Sequence, residues 1–198
     1  MKVSILTFEG FNELDSFIAL GILNRLRSKG LQVHITGPSP KITSMNGVTI
    51  ETTQTLESAS ESDAVLFGSG IYTKEIAQDS SILNRIKLDP NRQLIGAQCS
   101  GTLLMAKLGL INNLPACTDL TTKPWAIEAG VKIIDAPFYA DKNLSTAGGC
   151  MSSQYLAAWT IAKLFSYEEA KTAIHYVAPV GQKEEYVEMI MEVVKKFL

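Results

Sequence analysis

Cys99 is the residue of this chain whose neighbours best suit it for chemistry. It lies in Leu94-Ile95-Gly96-Ala97-Gln98-Cys99-Ser100-Gly101-Thr102, an apolar run that passes through a cysteine and small residues into a Leu-, Met- and Ala-rich stretch. That order predicts a strand, a sharp turn and a helix. Small neighbours permit a strained turn that lifts one side chain above a sheet. The helix that follows directs free N–H groups and about half a positive charge at that side chain, so a thiol there is expected to ionise below its usual ~8.5 and act as a nucleophile. The ordinary alternative is a buried structural cysteine, a common core residue. A second candidate is the loop Gly68-Ser69-Gly70, which follows the apolar run 64–67. Parallel sheets gather ligand sites at strand ends, and the loop N–H groups, with the backbone of Ser100, are candidates for an oxyanion or substrate pocket. A plain tight turn would use the same glycines.

The elements that must position these residues follow from apolar periodicity. Residues 2–8 read as a strand and residues 12–29 as a helix ending at Gly30, with Leu14, Phe17, Ile18, Ile22 and Leu26 at helical spacing. Residues 31–36 alternate and run into Gly37-Pro38, which closes a βαβ unit and implies a parallel sheet. Residues 41–52, with Asn46-Gly47 at their centre, predict a small hairpin. Strands at 64–67 and 93–98 alternate with helices at 80–88 and 100–108. An irregular hairpin at 136–146 precedes helices at 149–165, 167–177 and 184–197. No linker or repeat interrupts this order, so residues 1–198 are expected to form one domain. Cys99 is expected at the C-terminal edge of a mainly parallel sheet in a three-layer α/β/α sandwich.

Composition narrows the function classes. Eighteen Lys and Arg against 20 Asp and Glu give a charge of −2, without the basic stripe that nucleic-acid binding requires. No apolar run reaches the ~20 residues that span a bilayer. The opening Met-Lys-Val-Ser-Ile-Leu-Thr-Phe-Glu lacks the pattern of a signal peptide. Three cysteines, Cys99, Cys117 and Cys150, with no CxxC spacing and only two histidines, disfavour disulfides and a metal site. Free thiols fit a reducing compartment, and a cytoplasmic setting is expected.

Four features in order resemble the ThiJ/PfpI superfamily over nearly the whole chain, and within it the isocyanide hydratase-like branch. They are Glu13-Leu14-Asp15 after the first strand, the loop Gly68 to Gly70, the elbow Gln98-Cys99-Ser100-Gly101, and Leu144-Ser145-Thr146-Ala147-Gly148-Gly149 before a late helix. The resemblance implies a flavodoxin-like fold, a homodimer, a small-molecule substrate, no cofactor and Cys99 as the reactive residue. It also implies that an acidic residue from the first turn, here Asp15, lies beside the cysteine. An ionised carboxylate would oppose a thiolate, so the pair is expected to share one proton, which Asp15 would shuttle. Asp15 would otherwise merely favour a helix N-terminus, as Asp often does.

The chain departs from that superfamily at several positions. Peptidase- and glyoxalase-like members carry His after the cysteine, where this chain has Ser100, and Asp119 stands where several branches have another histidine. His34 reads as a strand residue. His175 lies on a late helix without the His-Pro-Glu context of glutamine amidotransferases. A His-dependent triad is therefore disfavoured. Trp125, Phe138, Tyr155 and Trp159 read as core or interface aromatics, and Cys117 and Cys150 as structural thiols, the latter close to the expected pocket. The resemblance therefore implies a hydratase or lyase with Cys99 as nucleophile, Asp15 as proton shuttle and Ser100 with the glycine loop as polar wall. The alternative is a non-enzymatic redox sensor built on an oxidisable Cys99. A ligand-sensing half of a transcription regulator is least favoured.

Overall fold

The computed structural model of the protein describes residues 1–112 and 114–198. In chain order the first half comprises β1 (Lys2–Leu6), α1 (Glu13–Leu23), β2 (Gln32–Gly37), β3 (Lys41–Thr43), β4 (Thr49–Glu51), β5 (Gln54–Thr55), β6 (Ala64–Phe67), α2 (Thr73–Ile76) and α3 (Ser80–Leu83). The second half comprises β7 (Leu94–Gln98), α4 (Gly101–Lys107), β8 (Pro115–Ala116), α5 (Lys123–Glu128), β9 (Lys132–Ile133), β10 (Phe138–Asp141), β11 (Leu144–Ala147), α6 (Ser153–Leu164), α7 (Tyr167–Val177) and α8 (Lys183–Val194). Seven strands form one sheet in the order β10-β11-β7-β6-β1-β2-β5, parallel except for the edge pair β10 and β11.

Two cores flank the sheet, as the period-two side-chain alternation of its strands requires. Val3, Ile5, Ala64, Leu66 and Leu94 face one layer with α1, α6, α7 and α8. Leu6, Val65, Phe67, Ile95 and Ala97 face the other, with α2, α4 and α5. This is the expected α/β sandwich with a mainly parallel sheet. The chain crosses one way from β1 to β2 and the other way to β6, so the adjacent ends of β1 and β6 form the crevice where such sheets hold ligands.

Several boundaries differ from the sequence expectation. The helix expected at 12–29 is α-helical only to Leu23 and continues as a 3-10 turn, Asn24–Lys29, closed by Gly30 at φ 86°. The helix expected at 80–88 holds only over Ser80–Leu83, capped by Asp79. Residues 150–152 form a 3-10 turn before α6, because Gly149 adopts φ 88°, outside helical space. The short elements α2, α5, β5, β8 and β9 had no periodic signature. No described helix is long and apolar enough to cross a membrane.

Candidate active site

Cys99 follows β7 with φ 48°, one of two non-glycine residues in the left-handed region among the described residues. Such a conformation is strained for a side-chain-bearing residue and is held by its surroundings. Here the Cys99 amide donates to Ala147 O (2.8 Å), and its carbonyl accepts from Thr118 Oγ1 (2.8 Å) and the Thr102 amide (3.2 Å). The next turn can pack this closely only because Gly101 has no side chain. A Cβ there would lie 2.7 Å from Phe67 O and 2.8 Å from Gly68 O, both main-chain atoms. Gly101→Ala is therefore expected to force the elbow off β6 and to lower stability by about 1–3 kcal/mol in urea unfolding. An unchanged midpoint would mean that the backbone yields freely there.

Asp15 occupies the first turn of α1, capped by Asn12, whose Oδ1 accepts from the Leu14 amide (3.1 Å). Its carboxylate is buried, accepts a short hydrogen bond from Ser69 Oγ through Oδ2, and leaves Oδ1 without a partner among the described residues. Glu13 turns elsewhere, to Ser44 Oγ (2.5 Å) and Asn46 Nδ2 (2.8 Å). Asp15, Cys99 and Cys150 bring a carboxylate oxygen and two sulfurs within 4.8 Å of one another. These are three of the four donors a tetrahedral zinc would take. Gln98 Nε2 links the two cysteine segments, donating to Cys99 Sγ (3.4 Å) and to Gly149 O (2.7 Å). Asn12 Nδ2 donates to Cys150 Sγ (3.2 Å).

The electrostatics reverse one expectation. Burial, with the Asp15 charge adding to it, pushes the Cys99 thiol far above its ordinary range. At 3% exposure the sulfur loses more from missing water than the seven-residue α4 returns through its dipole. Burial likewise raises Asp15 above the ordinary 3.8, reinforced by the charge of Asp119 and opposed by the Ser69 hydrogen bond. Burial thus pushes both groups the same way, and at this separation their titrations are coupled.

The glycine loop behaves differently from expectation. The Gly68 amide is spent on Leu6 O (2.9 Å) and the Gly70 amide on Ser100 Oγ (3.2 Å), which also meets Thr73 Oγ1 (2.8 Å). Both glycine amides are therefore already hydrogen-bonded within the protein. Ser100 precedes α4 as its N-cap residue, and its hydroxyl ties the elbow to the loop.

A cavity of about 400 Å³ opens over the cluster, lined among others by Asn12, Asp15, Ser69, Gly70, Cys99, Ser100, Asp119 and Cys150, with Met45, Ile71 and Trp125 as its apolar part. Among the described residues no histidine lines it. His175 instead faces Glu184 Oε1 (3.2 Å) on the surface, and His34 lies on β2. Asp119 accepts from the Thr122 amide (2.9 Å) through Oδ1, and its buried Oδ2 has no partner among the described residues. Phe138, Tyr155 and Trp159 are core residues, as expected, whereas Trp125 lines the cavity. Cys117 is fully buried outside the cluster, its thiol pushed up to about 11 by burial. Asn12 was missed as a site residue, and Cys150, expected near the pocket as a structural thiol, lies in the cluster itself. The only sequence signals were the capping position of the first and the Gly148-Gly149 pair before the second.

Comparison with known proteins agrees with this architecture. No curated protein matches the chain. Among solved structures, DJ-1 of Schizosaccharomyces pombe superposes with a TM-score of 0.76 at 16% identity, covering 90% of this chain and 100% of that one. A THiJ/PfpI family protein of Pseudomonas syringae gives 0.76 at 20% identity, covering 98% and 88%. DJ-1beta of Drosophila melanogaster gives 0.72 at 19% identity, covering 89% and 96%. At such identities these neighbours speak for the fold. The sequence profile of the DJ-1/PfpI family matches residues 1–163, and the chain belongs to that family.

Proposed function

We propose that the protein is a cysteine-dependent hydratase that adds water to a small electrophile, with a terminal isocyanide carbon as the substrate class. The supporting observation is the buried Asp15 Oδ1, unpartnered among the described residues, in one cluster with the Cys99 sulfur, in a cavity that no described histidine lines. An acid that keeps its proton beside a nucleophilic sulfur suits addition to a strongly electrophilic carbon better than peptide cleavage, which needs a neutral base. Cys99 Sγ attacks the terminal carbon, and Asp15 protonates the resulting carbanion to give a thioimidate. Asp15 then takes a proton from water as it adds to that carbon. As the adduct collapses, its hydroxyl proton passes to the nitrogen, the C–S bond breaks to expel the Cys99 thiolate, and an N-substituted formamide is released. The Ser69 and Ser100 amides form the polar wall, and Met45, Ile71 and Trp125 accommodate the apolar substituent.

That Asp15 and Cys99 share one proton near neutrality is part of the proposal, and it makes a testable statement about pH. Between the titrations of the Asp15–Cys99 pair the fraction of thiolate is a fixed tautomer ratio, so the alkylation rate of Cys99 should be nearly independent of pH around neutrality. In Asp15→Asn the thiol titrates alone, and the rate should climb about tenfold per pH unit until its own pKa. The same upward slope in both proteins would separate Asp15 from the thiol. Turnover is tested by following formamide formation from a panel of isocyanides, with α-oxoaldehydes as the competing class. No product from any of them, with Cys99 still alkylated at its normal rate, would overturn the hydratase.

A homodimer and a cytoplasmic setting belong to the same proposal. They are supported by exposed apolar side chains at Leu14, Ile71, Leu120 and Met151 and by three free cysteines. Sedimentation at micromolar concentration tests the dimer.

A further inference from the structure

Cys150 has no part in the hydration steps, yet its sulfur sits in the same cluster as Cys99 and Asp15. We infer that Cys150 is a resolving cysteine, which captures an oxidised Cys99 as an intramolecular disulfide when the protein meets a hydroperoxide. This rests on Cys99 being the reactive thiol, as in the proposed function, and not on turnover of any isocyanide.

Three observations carry it. The sulfurs lie within 4.8 Å, so approach to a bond of about 2.0 Å needs side-chain rotation and a small shift rather than refolding. Cys150 opens a single 3-10 turn behind Gly149 at φ 88°, a half-buried segment outside the long helices. Asn12 Nδ2 donates to Cys150 Sγ (3.2 Å), a contact that holds the sulfur in the cluster and opposes the upward push that burial and the Asp15 charge give this thiol. The third cysteine, Cys117, is fully buried outside the cluster and supplies no competing partner.

The steps balance with a hydroperoxide as oxidant. The Cys99 thiolate attacks the distal peroxide oxygen; an S–O bond forms, the O–O bond breaks, and the leaving alkoxide takes the Asp15 proton. Cys99 is thereby oxidised by two electrons to a sulfenic acid and the peroxide is reduced to an alcohol. Asp15, now ionised, takes the proton of Cys150. The Cys150 thiolate attacks the Cys99 sulfur, the S–S bond forms, the S–O bond breaks, and hydroxide leaves as water with the Asp15 proton. Two equivalents of an external thiol restore both cysteines. The consequence is protection, because a disulfide stops Cys99 short of the irreversible sulfinic acid.

The test is intact-mass and peptide mapping after graded treatment with cumene hydroperoxide, on the wild type, Cys150→Ser and Cys150→Ala, each first checked for a native unfolding transition. The wild type should lose about 2 Da, reversed by dithiothreitol, with Cys99 and Cys150 in one linked peptide. Both variants should instead gain about 16 and then 32 Da on Cys99, with at least a tenfold larger sulfinic fraction at equal dose. Sulfinic acid accumulating on wild-type Cys99 as fast as in the variants, or a disulfide only between chains, would overturn the resolving role while leaving the nucleophile intact. A Cys99 that neither oxidises nor alkylates in any of the three would overturn both readings.

Discussion

Cys99→Ser is expected to lower formamide formation by at least ~10³-fold while leaving the unfolding transition in place. In the proposed mechanism the sulfur ionises through a proton shared with Asp15, which lies in the same cluster. A serine hydroxyl is many units less acidic, and no histidine lines the cavity among the described residues to activate it. The raised carboxyl of Asp15 is too weak a base to generate an alkoxide. The change is nearly isosteric, so the strained elbow and its hydrogen bonds to Ala147, Thr118 and Thr102 should survive. Initial rates on the best isocyanide, with urea unfolding of the same preparations, decide the matter. Comparable rates in both proteins would exclude covalent attack by this residue.

The largest effect on stability is expected at Trp159. This side chain is fully buried on α6, its ring centroid 6.3 Å from that of Phe138, and its Nε1 donates to Phe197 O (3.4 Å). It joins the antiparallel edge of the sheet to the chain's last turn. Trp159→Ala removes the ring and leaves a cavity in a core that cannot fully collapse, at a cost of about 3–5 kcal/mol. For a chain of this size that corresponds to a fall of roughly 10 °C or more in Tm. Calorimetry should show it, with a site effect transmitted through the base of α6, where Ser153 Oγ donates to Asp15 O (3.2 Å). A loss under about 1 kcal/mol would mean that the ring is not packed as described.

Much of the fold was legible because its signals are short-ranged. The alternation in residues 31–36, the helical spacing after Asn12 and the apolar run into Cys99 each depend on neighbours within a turn or a strand. The tight passage at Gly101 and the elbow at Cys99 were readable for the same reason. Short elements such as α2 and α5 escaped because four or six residues do not complete enough turns to show a period. Of the loop read as a candidate pocket, Ser69 and Gly70 line the cavity, but the use of the glycine amides was not legible, since their acceptors, Leu6 O and Ser100 Oγ, come from distant segments.

The sequence by itself therefore determined the layers, the parallel sheet and the turn that raises Cys99, all products of local geometry and side-chain period. Only the tertiary structure decided the company Cys99 keeps. The order β11-β7-β6-β1 brings the ends of four strands side by side, and so joins Asp15, Ser69, Cys99 and Cys150, which no local spacing relates. The same burial decided the direction in which the thiol's pKa moves. A helix end read in sequence argues for a low thiol pKa, but desolvation and a neighbouring carboxylate act through space and raise it.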